Sequence, residues 1–340
     1  MTRARRFAAR RCIGGGSIGV RRGLTRARQR GWTIVELVIA TGLGLVLTLL
    51  ASGLLLATNG SYRSHSENTW INDGGRYALE IMSQAIRQGG YVNWHSKEAP
   101  AEVQDDEPAS IAGLDATSIS KTGDGIEGLS PDVANGSDVL ALRFSGYGAG
   151  ANGDGSSLNC AGFGVGAPSA LIERGWSIFY VAADTGGEPE LRCKYRSAAG
   201  WGADAIVRGV DSFQVLYGLD TDLPADGAPN TFVNASAINA MDAGLALVGA
   251  TPDQLRRDLN RKTHWKRVCS VKLALLLHGE NNTRADKVAH QFDLFGAAYA
   301  DGHGGDLGVR VAEDIFPEAQ RWRARRVFGM TVALRNRSTL

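Results

Sequence analysis

Between Leu37 and Thr58 the chain runs 22 residues without a charge. As a helix such a run is about 33 Å long, enough to cross the hydrocarbon core of a bilayer. Leucine, valine and alanine dominate it, and Gly42, Gly44 and Gly53 are tolerable in a membrane helix. Thr41, Thr48, Ser52 and Thr58 can bond back to helix carbonyls. Beyond Thr58 the sequence turns polar but keeps helical spacing. Tyr77, Ile81 and Ala85 beside Ala78, Met82 and Ile86 predict an amphipathic helix over Arg76–Gln88. Gly89-Gly90 predicts its stop, and Gly74-Gly75 predicts a bend.

Residues 92–340 change period. Asp138–Phe144, Trp176–Ala182 and Glu190–Tyr195 are short strand candidates bounded by glycine, proline and aspartate. In Phe213–Tyr217 and Cys269–Leu277, and at Phe328, Met330, Val332 and Leu334, large residues recur at every second position. Period two predicts strands with one face on a core. One short helix is expected at Thr251–Lys262, with Thr251 as N-cap, Pro252 in the first turn and Gln254 closing a capping box. The fold class is therefore α+β. A long N-terminal helix, its first half spanning a membrane, packs on a mainly antiparallel sheet. The expected segments are a basic leader (1–31), the helix (32–90, span 37–58) and a β-rich globular part (91–340).

Charge sharpens this partition. The chain has 37 basic and 35 acidic residues among 340. Ten of the basic ones are arginines within residues 1–31, where no acid occurs. That leaves 27 basic against 35 acidic residues, net −8, for residues 32–340. An acidic main part gives no nucleic-acid footprint. A basic flank ahead of an apolar run instead points to the cytoplasmic side of a membrane.

Three readings fit the apolar run: a cleaved secretory signal with a weak site near Ala51-Ser52-Gly53, a plain signal anchor, or a helix with a further use. The first two leave Glu36 unexplained. A carboxylate in an apolar helix costs roughly 2.5–3.5 kcal/mol when central and less near the interface. Its presence asks for a partner. A free amine at Trp32, made by cleavage after Gly31, would supply one between neighbouring subunits.

Gly31, Trp32, Thr33 and Glu36 followed by the apolar run resemble the class III signal of type IV prepilins and pseudopilins. The resemblance implies that a prepilin peptidase cuts after Gly31 and methylates Trp32, and that Glu36 is the assembly carboxylate. Tryptophan departs from the phenylalanine or methionine usual at that position. The leader is long for this family, and Val20 before Arg21-Arg22-Gly23-Leu24 is an alternative start. Gly75–Glu80, Ile86–Tyr91, Gly209–Asp222 and Phe328–Arg337 resemble PilW-type minor pilins, whereas residues 95–205 carry little of the pattern. What this implies is a pilin-like fold and a non-catalytic role in pilus assembly. The chain would be anchored in the inner membrane with its β-rich part periplasmic, and then incorporated into the filament. Expected partners are the prepilin peptidase, other minor pilins and the major pilin, with a tip adhesin as a further candidate. A minor pseudopilin of a type II secretion system is the near alternative. A membrane-anchored periplasmic enzyme or binding protein is the distant one.

Candidate chemistry is sparse. The cysteines stand at 12, 160, 193 and 269 with no CxxC pair. Cys160 and Cys193 flank a strand candidate and are expected to form a disulfide. Cys269, on a core-facing strand, is expected to stay reduced; three free thiols are the alternative. The six histidines (65, 95, 264, 278, 290, 303) show no metal-ligand spacing and read as surface or loop residues. Gly146–Gly155 lacks the Lys-Ser/Thr of a phosphate loop and reads as a flexible loop. Asp220, Asp222 and Asp226 form a weak calcium candidate beside the plainer reading of a solvated turn. No cofactor and no catalytic constellation is expected.

Overall fold

The computed structural model describes residues 31–93, 105–130, 133–168, 173–284 and 286–336. The leader arginines, Cys12, His95 and Arg337 lie outside them. Helix α1 runs from Ile34 to Gln88, and the chain divides into two units between Ala57 and Thr58. In the first unit every residue from Gly31 to Ala57 is exposed. Leucine and valine side chains exposed along several turns require lipid or another apolar surface to cover them.

In the second unit α1 turns amphipathic. Ile71, Gly75, Ala78, Met82, Ala85 and Ile86 are buried, at the three- and four-residue steps of one helix face. Tyr77, expected on that face, is 56% exposed and points outward. Gly74-Gly75 does not break the helix. A Cβ on Gly75 would lie 2.6 Å from ring carbons of Phe328, so the glycine there permits close approach rather than bending. The helix ends as its sequence predicts. Gly90 takes φ +73° and its N–H donates to the Arg143 carbonyl at 2.9 Å.

The rest of this unit is built on antiparallel sheets. After α1 come β1 (Ile111–Leu114), β2 (Ser118–Ile119), β3 (Leu129–Ser130), β4 (Val139–Phe144), β5 (Gly175–Ala183), β6 (Pro189–Ser197) and β7 (Gly200–Arg208). β8 (Val210–Leu219), β9 (Thr231–Val233), α2 (Ala235–Ala243), α3 (Pro252–Lys262) and β10 (Val268–His278) follow. The chain continues through β11 (Gln291–Asp293), α4 (Ala297–Gly302), β12 (Arg310–Ala312), α5 (Glu318–Arg321) and β13 (Arg325–Ala333). The first sheet has the order β1-β4-β5-β6-β7 and the second β13-β10-β8-β9; β2-β3 and β11-β12 are two-stranded. Helix α3 starts with both halves of the capping box expected of Thr251 and Gln254.

One core joins these layers. Met82 and Ile86 of α1, Leu142 and Phe179 of the first sheet, and Phe213, Leu273 and Leu275 of the second belong to a single buried cluster. Each such side chain contributes about 1.5–3 kcal/mol by leaving water. The expectation that β8 and β10 bury one face is corrected: β8 is buried along its whole length, and β10 everywhere except at the half-buried Lys272. The second face of β10 carries Ala274 and Leu276, covered by Leu294, Val311 and Phe316 from the segment before β13.

Asp138 fastens the two sheets. Its N–H donates to the Phe213 carbonyl at 2.8 Å, and its carboxyl accepts from Val215 N (2.8 Å) and Ala116 N (3.0 Å). Burial, with Asp115 adding to it, pushes this carboxyl well above the usual aspartate range. The folded state thus holds a proton that the unfolded chain releases near pH 4. Stability falls as pH rises from there until the buried group ionises. Asp138→Asn is expected to flatten that part of the profile, checked by urea unfolding from pH 4 upward; an unchanged slope would assign it elsewhere. Gly75→Val is expected to cost about 1–3 kcal/mol through overpacking against Phe328. The Gly75→Val/Phe328→Ala double variant should lose less than the sum of the two single changes.

Candidate functional site

The N-terminal turn of α1 has a defined local structure. Thr33 lies just before the helix and Glu36 in its first turn. The Glu36 carboxylate accepts from Thr33 N at 2.9 Å and from the Thr33 hydroxyl at 3.0 Å. The Thr33 hydroxyl in turn accepts from Glu36 N at 3.2 Å. This is a capping box, which satisfies backbone donors that the helix start leaves open. The Thr-x-x-Glu spacing that predicts it is visible in the sequence, and it is the signal that a search for the carboxylate's distant partner passes over. Gly31 and Trp32 precede the helix, and Trp32 is 79% exposed. Among the described residues, none covers the peptide bond between them.

Cys160 and Cys193 are joined in a disulfide with Cα atoms 5.8 Å apart. Cys193 lies in β6, fully buried, while Cys160 lies in the loop before β5. Its N–H donates to the Ser177 hydroxyl at 3.0 Å. The glycine-rich stretch ahead of it is not the bare flexible loop expected. Tyr147 N donates to Val165 O at 3.0 Å and Ala167 N to Gly148 O at 2.8 Å, folding residues 147–167 back on themselves. Cys269 lies outside this disulfide, 2% exposed, with its sulfur 3.5 Å from the Gly218 carbonyl.

The carboxylates of Asp220, Asp222 and Asp226 come within 4.8 Å of one another. Asp220 is buried and the other two are exposed. Each already has protein donors. Asp220 accepts from Asp222 N (3.2 Å) and Gly227 N (2.5 Å), Asp226 from Ala228 N (2.7 Å), and Asp222 from the Asn230 side chain (3.0 Å). These bonds describe a turn that satisfies its own acids.

His278 departs from the expectation of surface or loop histidines. It closes β10 at 2% exposure, with Nδ1 2.9 Å from Asp211 and Nε2 against Glu188. Arg323 donates to Glu188 at 2.6 Å and Arg325 to Asp211 at 2.7 Å. Burial raises the Glu188 carboxyl, but bonds from His278 and Arg323 outweigh it and leave the group below its ordinary value. The set ties the start of β13 to the two sheets. No serine, threonine or cysteine is bonded to the His278 ring among the described residues, so the arrangement offers no activated nucleophile.

Replacing Cys160 and Cys193 by serine is expected to cost roughly 3–4 kcal/mol in the chain-entropy picture. Chemical unfolding measures this. Non-reducing peptide mapping should recover Cys160 linked to Cys193, with Cys269 alkylated only after denaturation; a Cys269 linkage would contradict both.

Among solved structures, a type IV-like pilin from Thermus thermophilus matches at 12% identity and TM-score 0.35, over 79% of this chain and 98% of that one. No curated protein matches. The family model described as Type IV Pilus-assembly protein W matches residues 178–336, from within β5 to just past β13. Of the four stretches that resemble minor pilins, the one at β8 with its acidic turn lies inside that span, and the one at β13 lies inside it but for its last residue. Over residues 178–336, most of its β-rich part, the chain matches the PilW family of type IV pilus-assembly proteins.

Proposed function

We propose that this chain is a minor pilin that takes part in initiating and assembling a type IV pilus. It is held in the inner membrane by residues 37–58 until it enters the filament. The carrying observation is one conjunction: an exposed apolar helix with Glu36 in its first turn, preceded by Gly31, on a chain whose β-rich part matches PilW. In this reading the prepilin peptidase removes residues 1–31 and methylates Trp32. The β-rich part then lies in the periplasm. The apolar helix exchanges lipid for the helices of other minor pilins and the major pilin, in a filament that serves adhesion and motility. The family match favours this reading over a secretion pseudopilin.

Glu36 has two separable duties in this scheme. As a cap it needs acceptor oxygen for Thr33, which glutamine also supplies. As an assembly group it needs negative charge opposite the new amine of a neighbour. Glu36→Gln is therefore expected to insert and be cleaved normally yet fail to enter filaments, and the same is expected of Glu36→Ala. Recovery of the glutamine variant in sheared filaments at wild-type level would reduce Glu36 to a helix cap. Mass spectrometry of the membrane-extracted protein should find a methylated Trp32 terminus, and any other terminus refutes the processing assignment.

A further inference from the structure

The last turns of α1 and the loop that precedes β5 line a common cleft of about 810 Å³. Ile81 and Ala85 of α1 and Leu158 of the loop give it apolar patches, with Tyr91 and Tyr147 beside them. The side chains of the two tyrosines are bonded to each other. Gln84, Gln88, Ser156 and Asn336 supply amides and a hydroxyl. The charged lining residues are Arg87 and Arg335, both exposed, and no acid lines the cleft among the described residues. Glu80 and Asp154, bonded to the Gln84 amide (3.0 Å) and the Ser156 hydroxyl (2.6 Å), stand outside the lining. Both walls are held by bonds within the protein. Val165 N donates to Ser157 O and Asn159 N to Phe163 O, each at 2.9 Å, and the Cys160–Cys193 disulfide ties the loop to β6. On the other wall the Asn336 amide donates to the Arg87 carbonyl at 3.2 Å, joining the end of α1 to the segment after β13.

We propose that this cleft binds an acidic saccharide, with its ring faces on the tyrosines and apolar patches, its hydroxyls on the amides and its carboxylates toward Arg87 and Arg335. The volume falls in the range of small-molecule sites. Each lining type answers one part of such a ligand. Tyrosine rings give rigid contact area at little cost in conformational entropy, suited to the C–H faces of a sugar ring. Side-chain amides both donate and accept, as sugar hydroxyls do. The planar fork of arginine matches a carboxylate. Other ligand classes use only part of the lining. An apolar acid would strand the amides it desolvates. An inorganic anion would reach the arginines and leave the rest of the cleft in water. A cation would meet two like charges. The preformed walls spare a ligand the cost of ordering them. Of this lining only Arg335 and Asn336 fall within the residues matched to PilW, so the family match assigns the cleft no role. The inference rests on the β-rich unit and the helix turns packed on it, independently of processing or filament entry.

The test uses the full-length chain in lipid nanodiscs, with empty nanodiscs as blank and ionic strength held constant. The probes are trigalacturonate, its fully methyl-esterified neutral form, and citrate as an anion without a sugar ring, followed by saturation-transfer NMR and titration calorimetry. Trigalacturonate is expected to bind at one site at least about tenfold more tightly than either of the other two. The Arg87→Gln/Arg335→Gln double variant should bring the acid down to the affinity of its ester. Gln84→Trp, at an exposed position on the helical wall, should weaken trigalacturonate by about tenfold or more. Equal affinity for acid and ester, citrate binding as tightly as trigalacturonate, or unchanged binding in Gln84→Trp would each overturn the proposal. So would no binding of trigalacturonate up to about 10 mM. Should a variant fail to fold by circular dichroism, the comparison of the three probes on the unaltered chain decides it.

Discussion

The second unit depends on one stripe of α1. Ile71, Ala78, Met82 and Ile86 join side chains from both large sheets in a single buried cluster, so the helix completes the core that the two sheets share. Gly75 sets how close the helix comes, because the Phe328 ring occupies the space a Cβ would take. Phe328 belongs to β13, the last strand, so this contact joins a segment near the chain's start to one near its end. The Asp138 bonds and the His278 cluster then fix how the sheets and the start of β13 meet around that helix. Asp138 is a buried polar group satisfied on more than one side, the condition under which burying it is tolerated.

What the sequence made legible follows from how strongly each pattern is repeated. The 22-residue uncharged run, the Gly89-Gly90 stop and the α3 capping box rest on local rules, and local rules fix local structure. Strands β4, β5, β6, β8, β10 and β13 carried enough β-branched and aromatic residues to stand out. β7 did not, because Gly200, Gly202, Ala203 and Ala205 give it little propensity; it pairs because β6 offers it an edge. β1, β9, β11 and β12, of three or four residues each, are too short for alternation to show. β10 was misread in one respect only. Alternation of large and small residues suggests one buried face, but Ala274 and Leu276 on the other face also meet a covering layer.

The candidate sites divide along the same line. Gly31, Trp32 and Glu36 can be proposed from sequence alone because a processing signal is a linear string. The Cys160–Cys193 pairing needed only the guess that two thiols flanking one strand approach one another. His278 was invisible, since its neighbours Asp211, Glu188 and Arg323 lie more than thirty residues away in sequence. A titratable residue inside a period-two strand looks like any solvent-facing position until the covering layer is known.

Thr33 and Glu36 join the local and the assembled roles of the N-terminus. An ionised carboxylate at a helix start is stabilised by the positive end of the helix and by the cap, at a small fraction of what an unpaired charge costs mid-membrane. The same position in the first turn places it beside the amine that cleavage after Gly31 would create. A cap satisfied by Thr33 alone leaves the carboxylate other lone pairs open, so an incoming cation need not break the cap in order to pair. Capping keeps the charge where lipid exposure is least, and the charge gives that end of the helix a reason to leave lipid for a neighbour. In the proposed filament the cap and the assembly group would be successive uses of one geometry.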